Sequence, residues 1–80
     1  MFQMTVEESM RLHDNLITVS GSCINKHNFL AGELHDESGV VYDAHIPFVK
    51  TLVHDENSVI LGIYGSMDIS SMIGKTLKSQ

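Results

Sequence analysis

The chain has no tryptophan, one proline, one cysteine and one arginine, and each shortage removes a class of answer. With Cys23 as its single cysteine, the fold is not stapled by an internal disulfide. A reducing compartment, the cytoplasm, is the expected location. Arg11 and four scattered lysines, Lys26, Lys50, Lys75 and Lys78, stand against ten acidic residues for a net charge of −5. Phosphate-backbone affinity comes from clustered Lys and Arg, so this balance disfavours RNA as a partner. No apolar run approaches the roughly 20 residues needed to cross a bilayer, and no membrane partner is expected. The opening MFQMTVEES lacks the basic start and unbroken apolar stretch of a signal peptide.

What is present is ordinary globular composition: 42% apolar and 19% charged residues argue against disorder. Eighty residues suffice for one core, and the expected organisation is a single domain over 1–80.

The local patterns are those of strands. Phe2, Met4 and Val6 alternate with Gln3, Thr5 and Glu7, the period of a half-buried strand. Glu7 to Asn15 breaks the alternation and reads as a short helical turn or an irregular edge. Leu16 to Ile24 is rich in β-branched residues, with Gly21 marking a bulge, a bend or close approach of another backbone. A turn at Asn25-Lys26-His27-Asn28 precedes a third strand from Phe29 to Leu34, and Asp36-Glu37-Ser38-Gly39 turns the chain again. Val40, Tyr42, Ala44, Ile46 and Phe48 form the clearest alternating set, with Pro47 signalling an edge, break or bulge. Leu52 and Val53 extend this segment or begin the next. Val59 to Tyr64 is a continuous apolar run short enough for a doubly covered strand. Ser66 to Met72 reads as one turn of helix and Ile73 to Leu77 as a last strand. Strands at this spacing predict an all-β sandwich or barrel, and closure removes exposed edges in so short a chain.

The same residues, in the same order, resemble the second domain of translational GTPases such as elongation factor Tu. Phe2, Met4, Val6 and Glu7 match that family's opening strand, Val19 and Gly21 its Val-x-Gly step, and Gly32 and Glu33 its Gly-acid step. Asn57 to Ile63, Gly65, Asp68, Ile69, Gly74 and Leu77 follow its closing pattern. The resemblance implies a closed six-stranded β-barrel. It does not carry the family's GTPase chemistry, because Gly74-Lys75-Thr76 lacks the upstream glycine of a phosphate-binding loop. Ser22-Cys23 stands where that family places a basic residue, and Asn25 to Asn28 replaces its glycine-bearing turn. Binding of aminoacyl-tRNA is therefore not transferred.

Three His-Asp steps recur, at His13-Asp14, His35-Asp36 and His54-Asp55. Imidazole and carboxylate ligate divalent metals, yet neighbours on an extended chain point to opposite faces, and such residues are also what solvated turns contain. Cys23 lies within a strand and reads as a small buried hydrophobe rather than a nucleophile. The Ser66 to Ser71 hydroxyls have no base nearby in sequence and read as a cap or polar turn. Asp43 and His45 share one face of their strand and read as a solvent-facing pair. Met4 and Met10 read as core and edge packing.

The expectation is a small closed six-stranded all-β barrel acting as a non-catalytic binding module for an unknown protein partner. No catalytic residue, cofactor or metal ligand is assigned. Residual strand edges offer a route to a homo-oligomer. Two other readings stand beside it: an RNA- or tRNA-associated protein, and a divalent-metal-binding protein or metal-dependent enzyme using His35, His54 and nearby carboxylates.

Overall fold

A computed structural model describes residues 1–46 and 57–79. Six strands, β1 (Gln3–His13), β2 (Leu16–Ile24), β3 (Ala31–His35), β4 (Val41–His45), β5 (Ser58–Tyr64) and β6 (Thr76–Lys78), are joined by two 3-10 turns, Lys26–Asn28 and Ile69–Met72. They form a closed antiparallel barrel in the order β1-β2-β5-β4-β3-β6.

Alternation sends one side chain in two to the interior. Met4 and Val6 enter from β1, Ile17, Val19 and Cys23 from β2, and Leu34, Tyr42 and Ala44 from β3 and β4. Val59, Leu61 and Ile63 complete the interior from β5, and Leu77 does so from β6. Phe2 and Phe29 stack with ring centroids 5.0 Å apart, and Met72 covers the core from the second 3-10 turn. Each fully buried large side chain contributes about 1.5–3 kcal/mol. Cys23 is buried among them, as its strand position predicts.

Gly21 is where the barrel turns a corner. It pairs with Val6, and the register slips by one residue between Val6 and Glu8, so β1 bulges over it. A Cβ on Gly21 would overlap the Thr5 carbonyl oxygen and lie 2.9 Å from the Thr5 carbonyl carbon and 3.0 Å from the Glu7 nitrogen. Only glycine lets the two backbones approach this closely.

Several expectations need correction. Glu7 to His13 is neither helical nor irregular, because β1 continues through it, paired to β2 from Glu8↔Ser20 to His13↔Leu16. Alternation fades there because both faces are largely solvated, leaving Met10 and Leu12 exposed; Met10 is not packing residue. Val59 to Tyr64 is covered on one face only, since Ile60 and Tyr64 are exposed. The third strand starts at Ala31 rather than Phe29, and the last at Thr76 rather than Ile73. Gly74, at φ 87°, turns the chain just before that last strand. Val40 is exposed and belongs to the β3–β4 turn, whereas Tyr42 and Ala44 point inward as expected and Ile46 packs against the core. The expectations for Pro47, Phe48, Leu52, Val53 and His54-Asp55 lie outside the described residues.

The tip of the β1–β2 hairpin is tied down by Arg11, which donates to the carbonyl oxygens of Asp14 (3.3 Å) and Met67. Asp68 caps the Ile69–Met72 turn, accepting from the Ser70 N–H at 3.0 Å and from the Ser70 hydroxyl at 3.0 Å. The serine-rich stretch is thus a cap, as its composition suggests.

Candidate functional site

The closure of the barrel between β3 and β6 has two unlike halves. In the first, β6 meets β3 at one pair, His35↔Lys78, and side chains carry the contact onward. Asp36 follows β3 with its carboxylate buried. One oxygen accepts from the Ser38 N–H (2.9 Å), the Ser38 hydroxyl (2.7 Å) and the Val40 N–H (3.1 Å). The other accepts from the Tyr42 hydroxyl at 2.7 Å and from Lys75 Nζ at 3.4 Å. The neighbouring Glu37 carboxylate accepts from the Thr76 N–H.

These donors stabilise the ionised form. The Tyr42 and Ser38 hydroxyls, followed by the Val40 and Ser38 N–H groups, hold the Asp36 carboxyl well below the usual carboxylate range against the opposing effect of burial. Burial, the bond to Asp36 and the charges of Asp36 and Glu37 push the Tyr42 hydroxyl up to about 12. A phenol held neutral beside a carboxylate held ionised is neither a ready base nor a ready acid near neutrality. The cluster is a structural tie across the barrel seam.

The second half of the seam borders a groove. Hydrogen bonds from Ile46 N–H to the Leu30 carbonyl (2.9 Å) and from Asp36 N–H to the Val40 carbonyl (3.0 Å) set the parity of β3: its even residues bond to β4, and the backbone groups of Ala31 and Glu33 turn the other way. Among the described residues neither has a strand partner on that side. A groove of about 340 Å³ lies along this edge, bounded by Asn28, Phe29, Ala31 to His35, Val41 and Ser79. Gly32, at φ 141°, has no atom nearer to a would-be Cβ than Phe29 Cε1 at 4.0 Å, which keeps the middle of the edge clear.

Glu33 pairs with Asp43 across β3 and β4. Both side chains are exposed on the outer face, in the closer, non-hydrogen-bonded type of pair. Beyond Asp43 on that face come Tyr64, its register partner on β5, and His45, whose ring stacks on Tyr64 at 5.0 Å. The His45 ring lies over Gly62, where a Cβ would come within 2.6 Å of it, and its Nδ1 is buried with no hydrogen-bond partner among the described residues. Asp43 and His45 thus share a face as expected, but the imidazole is partly covered rather than freely solvated.

The His-Asp steps do not converge. His13-Asp14 is at the β1–β2 hairpin tip, His35-Asp36 is at the barrel seam, and His54-Asp55 lies outside the described residues. Among the described residues no group of three His, Cys, Asp or Glu could hold a metal ion. The Asp36 network was hidden in the sequence, though Asp-x-Ser is the spacing at which a carboxylate reaches the N–H two residues on. The groove had no sequence signal, since it is lined by residues far apart in the chain, Asn28 to His35, Val41 and Ser79.

No family model matches the chain, and no match was found among curated proteins or solved structures. Among the described residues no helix is long and apolar enough to cross a membrane.

Proposed function

We propose that the chain is a non-catalytic binding module on a barrel like the second domain of translational GTPases, with a protein as its partner. The likeness draws on the order of short motifs. Met4, Val6 and Val19 belong to the interior, Gly21 to the corner, and Gly32-Glu33 to the strand beside the groove. The observation that carries the binding reading is the groove itself, about 340 Å³ beside β3. A concave groove beside a sheet strand is a common place for a protein to take up a partner.

The acidic Glu33–Asp43 pair beside the groove opposes a phosphate backbone, so a protein partner is favoured over RNA. Site-specific photocrosslinking in cells tests the reading, with a benzophenone side chain at Val41 on the groove, at Ile60 on another face, or at Ser22. A discrete protein adduct from one face and not the others is expected. Equal, diffuse labelling from all three positions would refute it.

A further inference from the structure

We propose that the outer face of β2 receives an amphipathic α-helix of a partner protein, with Lys or Arg on both borders of the helix's apolar stripe. The inference goes beyond the binding-module reading, because it uses a surface apart from the groove beside β3 and needs no contact there.

Alternation on β2 sends Ile17 and Val19 inward and leaves Leu16, Thr18 and Ser20 half-buried on the outer face. The register sets Met10 of β1 beside Thr18, and sets Ile60 and Tyr64 of β5 beside Ser20 and Leu16. Met10, Leu12, Ile60 and Tyr64 are all exposed, so β1 and β5 each raise an apolar bank above β2. Gly62, opposite Thr18, has no side chain of its own, and the His45 ring stacked on Tyr64 lies over it and completes the β5 bank. Two depressions follow one another along this trough. One, of about 230 Å³, lies among Glu8 to Met10, Thr18, Ser20 and Ile60; the other, of about 590 Å³, lies between Leu12 to Leu16 and Tyr64.

β2 is paired on both sides, to β1 and to β5, so this face has no backbone groups to offer an added strand. What docks here satisfies its own backbone, as an α-helix does. The dimensions agree. The banks stand two strand spacings apart, about 9.6 Å, against a helix diameter of about 10–12 Å with side chains. The floor from Ser20 to Leu16 runs about 14 Å, room for anchors at i, i+4 and i+7 of one helix. Charge then selects the borders of that helix. Glu8 stands at one end of the trough and Asp14 at the other, Asp43 neighbours Tyr64, and no Lys or Arg lines the trough among the described residues. Arg11 has the inward parity of Ile17, its register partner, and donates to the Asp14 and Met67 carbonyl oxygens instead. A second copy of this chain is a poor occupant. Among the described residues it has no α-helix, and two such faces would set Glu8, Asp14 and Asp43 against like charges.

The probe is an acetylated, amidated helical peptide with leucine at i, i+4 and i+7, lysine on both borders of that stripe and alanine elsewhere. It is titrated at low salt into the isotopically labelled full chain. The expected result is chemical-shift change at Met10, Thr18, Ile60 and Tyr64, with Ala31 and Glu33 unmoved. Kd should rise at least tenfold when glutamate replaces the lysines, when proline breaks the helix at its centre, or when the same residues are scrambled to scatter the leucines. Met10→Lys and Ile60→Lys should each weaken binding at least tenfold; both positions are exposed, and the amide spectrum of each variant reports whether the fold is intact. In the chain carrying Glu8→Lys and Asp14→Lys together, the preference should reverse toward the glutamate peptide. Equal binding of the scrambled peptide, no loss in Met10→Lys, or no binding at millimolar peptide would overturn the proposal. Shifts at the trough that grow with protein concentration in the absence of peptide would overturn it in favour of a second copy. A peptide that leaves the trough unmoved, together with a discrete cellular crosslink at Val41, would sink this inference and leave the binding-module reading standing.

Discussion

Replacing Gly21 with alanine is the sharpest test of the barrel corner. The added Cβ would run into the Thr5 carbonyl and sit 2.9 Å from its carbon and 3.0 Å from the Glu7 nitrogen. All three are backbone atoms, so no side-chain rotation relieves the overlap. Relief requires β1 to move off β2 where Val6 pairs with Gly21, and Val6 N–H and C=O also bond to Lys75 and Gly74 at 2.9 and 2.8 Å. Overpacking a core costs about 1–3 kcal/mol when side chains can adjust. A backbone obstacle places this substitution at or above about 3 kcal/mol. A chain of this length is stable by roughly 4–12 kcal/mol at typical values per residue, so a large share of stability is at stake. Urea unfolding followed by circular dichroism reads the change as a shift in midpoint at constant slope. Gly62→Ala is the control: its Cβ meets the His45 ring at 2.6 Å, and a side chain can swing aside, for an expected cost under about 1.5 kcal/mol. If Gly21→Ala unfolds within about 0.5 kcal/mol of the native chain, or costs less than Gly62→Ala, the corner argument fails.

Two further outcomes follow from the seam. Tyr42→Phe removes the 2.7 Å bond to the Asp36 carboxylate and should cost about 1.5–3 kcal/mol, the range for a hydrogen bond to a charged group, measured by the same urea titration; a loss below about 0.5 kcal/mol would contradict it. The pH dependence has two signs. Asp36 is depressed in the folded state, so its contribution is present above the ordinary carboxylate range and is lost as pH falls through that range toward the folded value. Tyr42 is raised to about 12, so its contribution holds below the ordinary phenol value of about 10 and is lost as pH rises toward 12. Melting temperature against pH, with Asp36→Asn flattening the acid limb and Tyr42→Phe the alkaline one, checks both.

The strands were legible where one face is buried. Leu16–Ile24 is bounded in the structure as the sequence suggests, because Ile17, Val19 and Cys23 face the core while polar residues separate them. Glu7 to His13 was illegible for the opposite reason: a ribbon solvated on both faces carries no hydrophobic period, and its pairing is dictated by β2 and the hairpin turn. The β5 run misled because Ile60 and Tyr64 are apolar yet face outward. At the seam, the Asp36 carboxylate serves hydroxyl and amide donors of Ser38, Val40 and Tyr42, two to six residues on, and Lys75 from across the seam. The Asp-x-Ser spacing reports the local turn, whereas the Lys75 contact forms only once the barrel closes, so no local spacing reports it. The groove has the same origin, since it forms where separate parts of the chain, Asn28 to His35, Val41 and Ser79, come together.

The seam also has a consequence for the order in which the molecule comes apart. Where β1 meets β2 and β2 meets β5, long ladders of backbone pairs hold the sheet; at β3 and β6 one pair does among the described residues. The rest of that closure is side-chain chemistry between residues 39 apart in sequence, Asp36 with Lys75 and Glu37 with Thr76. Closing so long a loop is costly in chain entropy and is rewarded only once those carboxylates are seated. Sub-global opening is therefore expected first along this line, with β6 leaving β3 while the remaining sheet stays paired, and faster amide exchange in β6 than in β2 would show it.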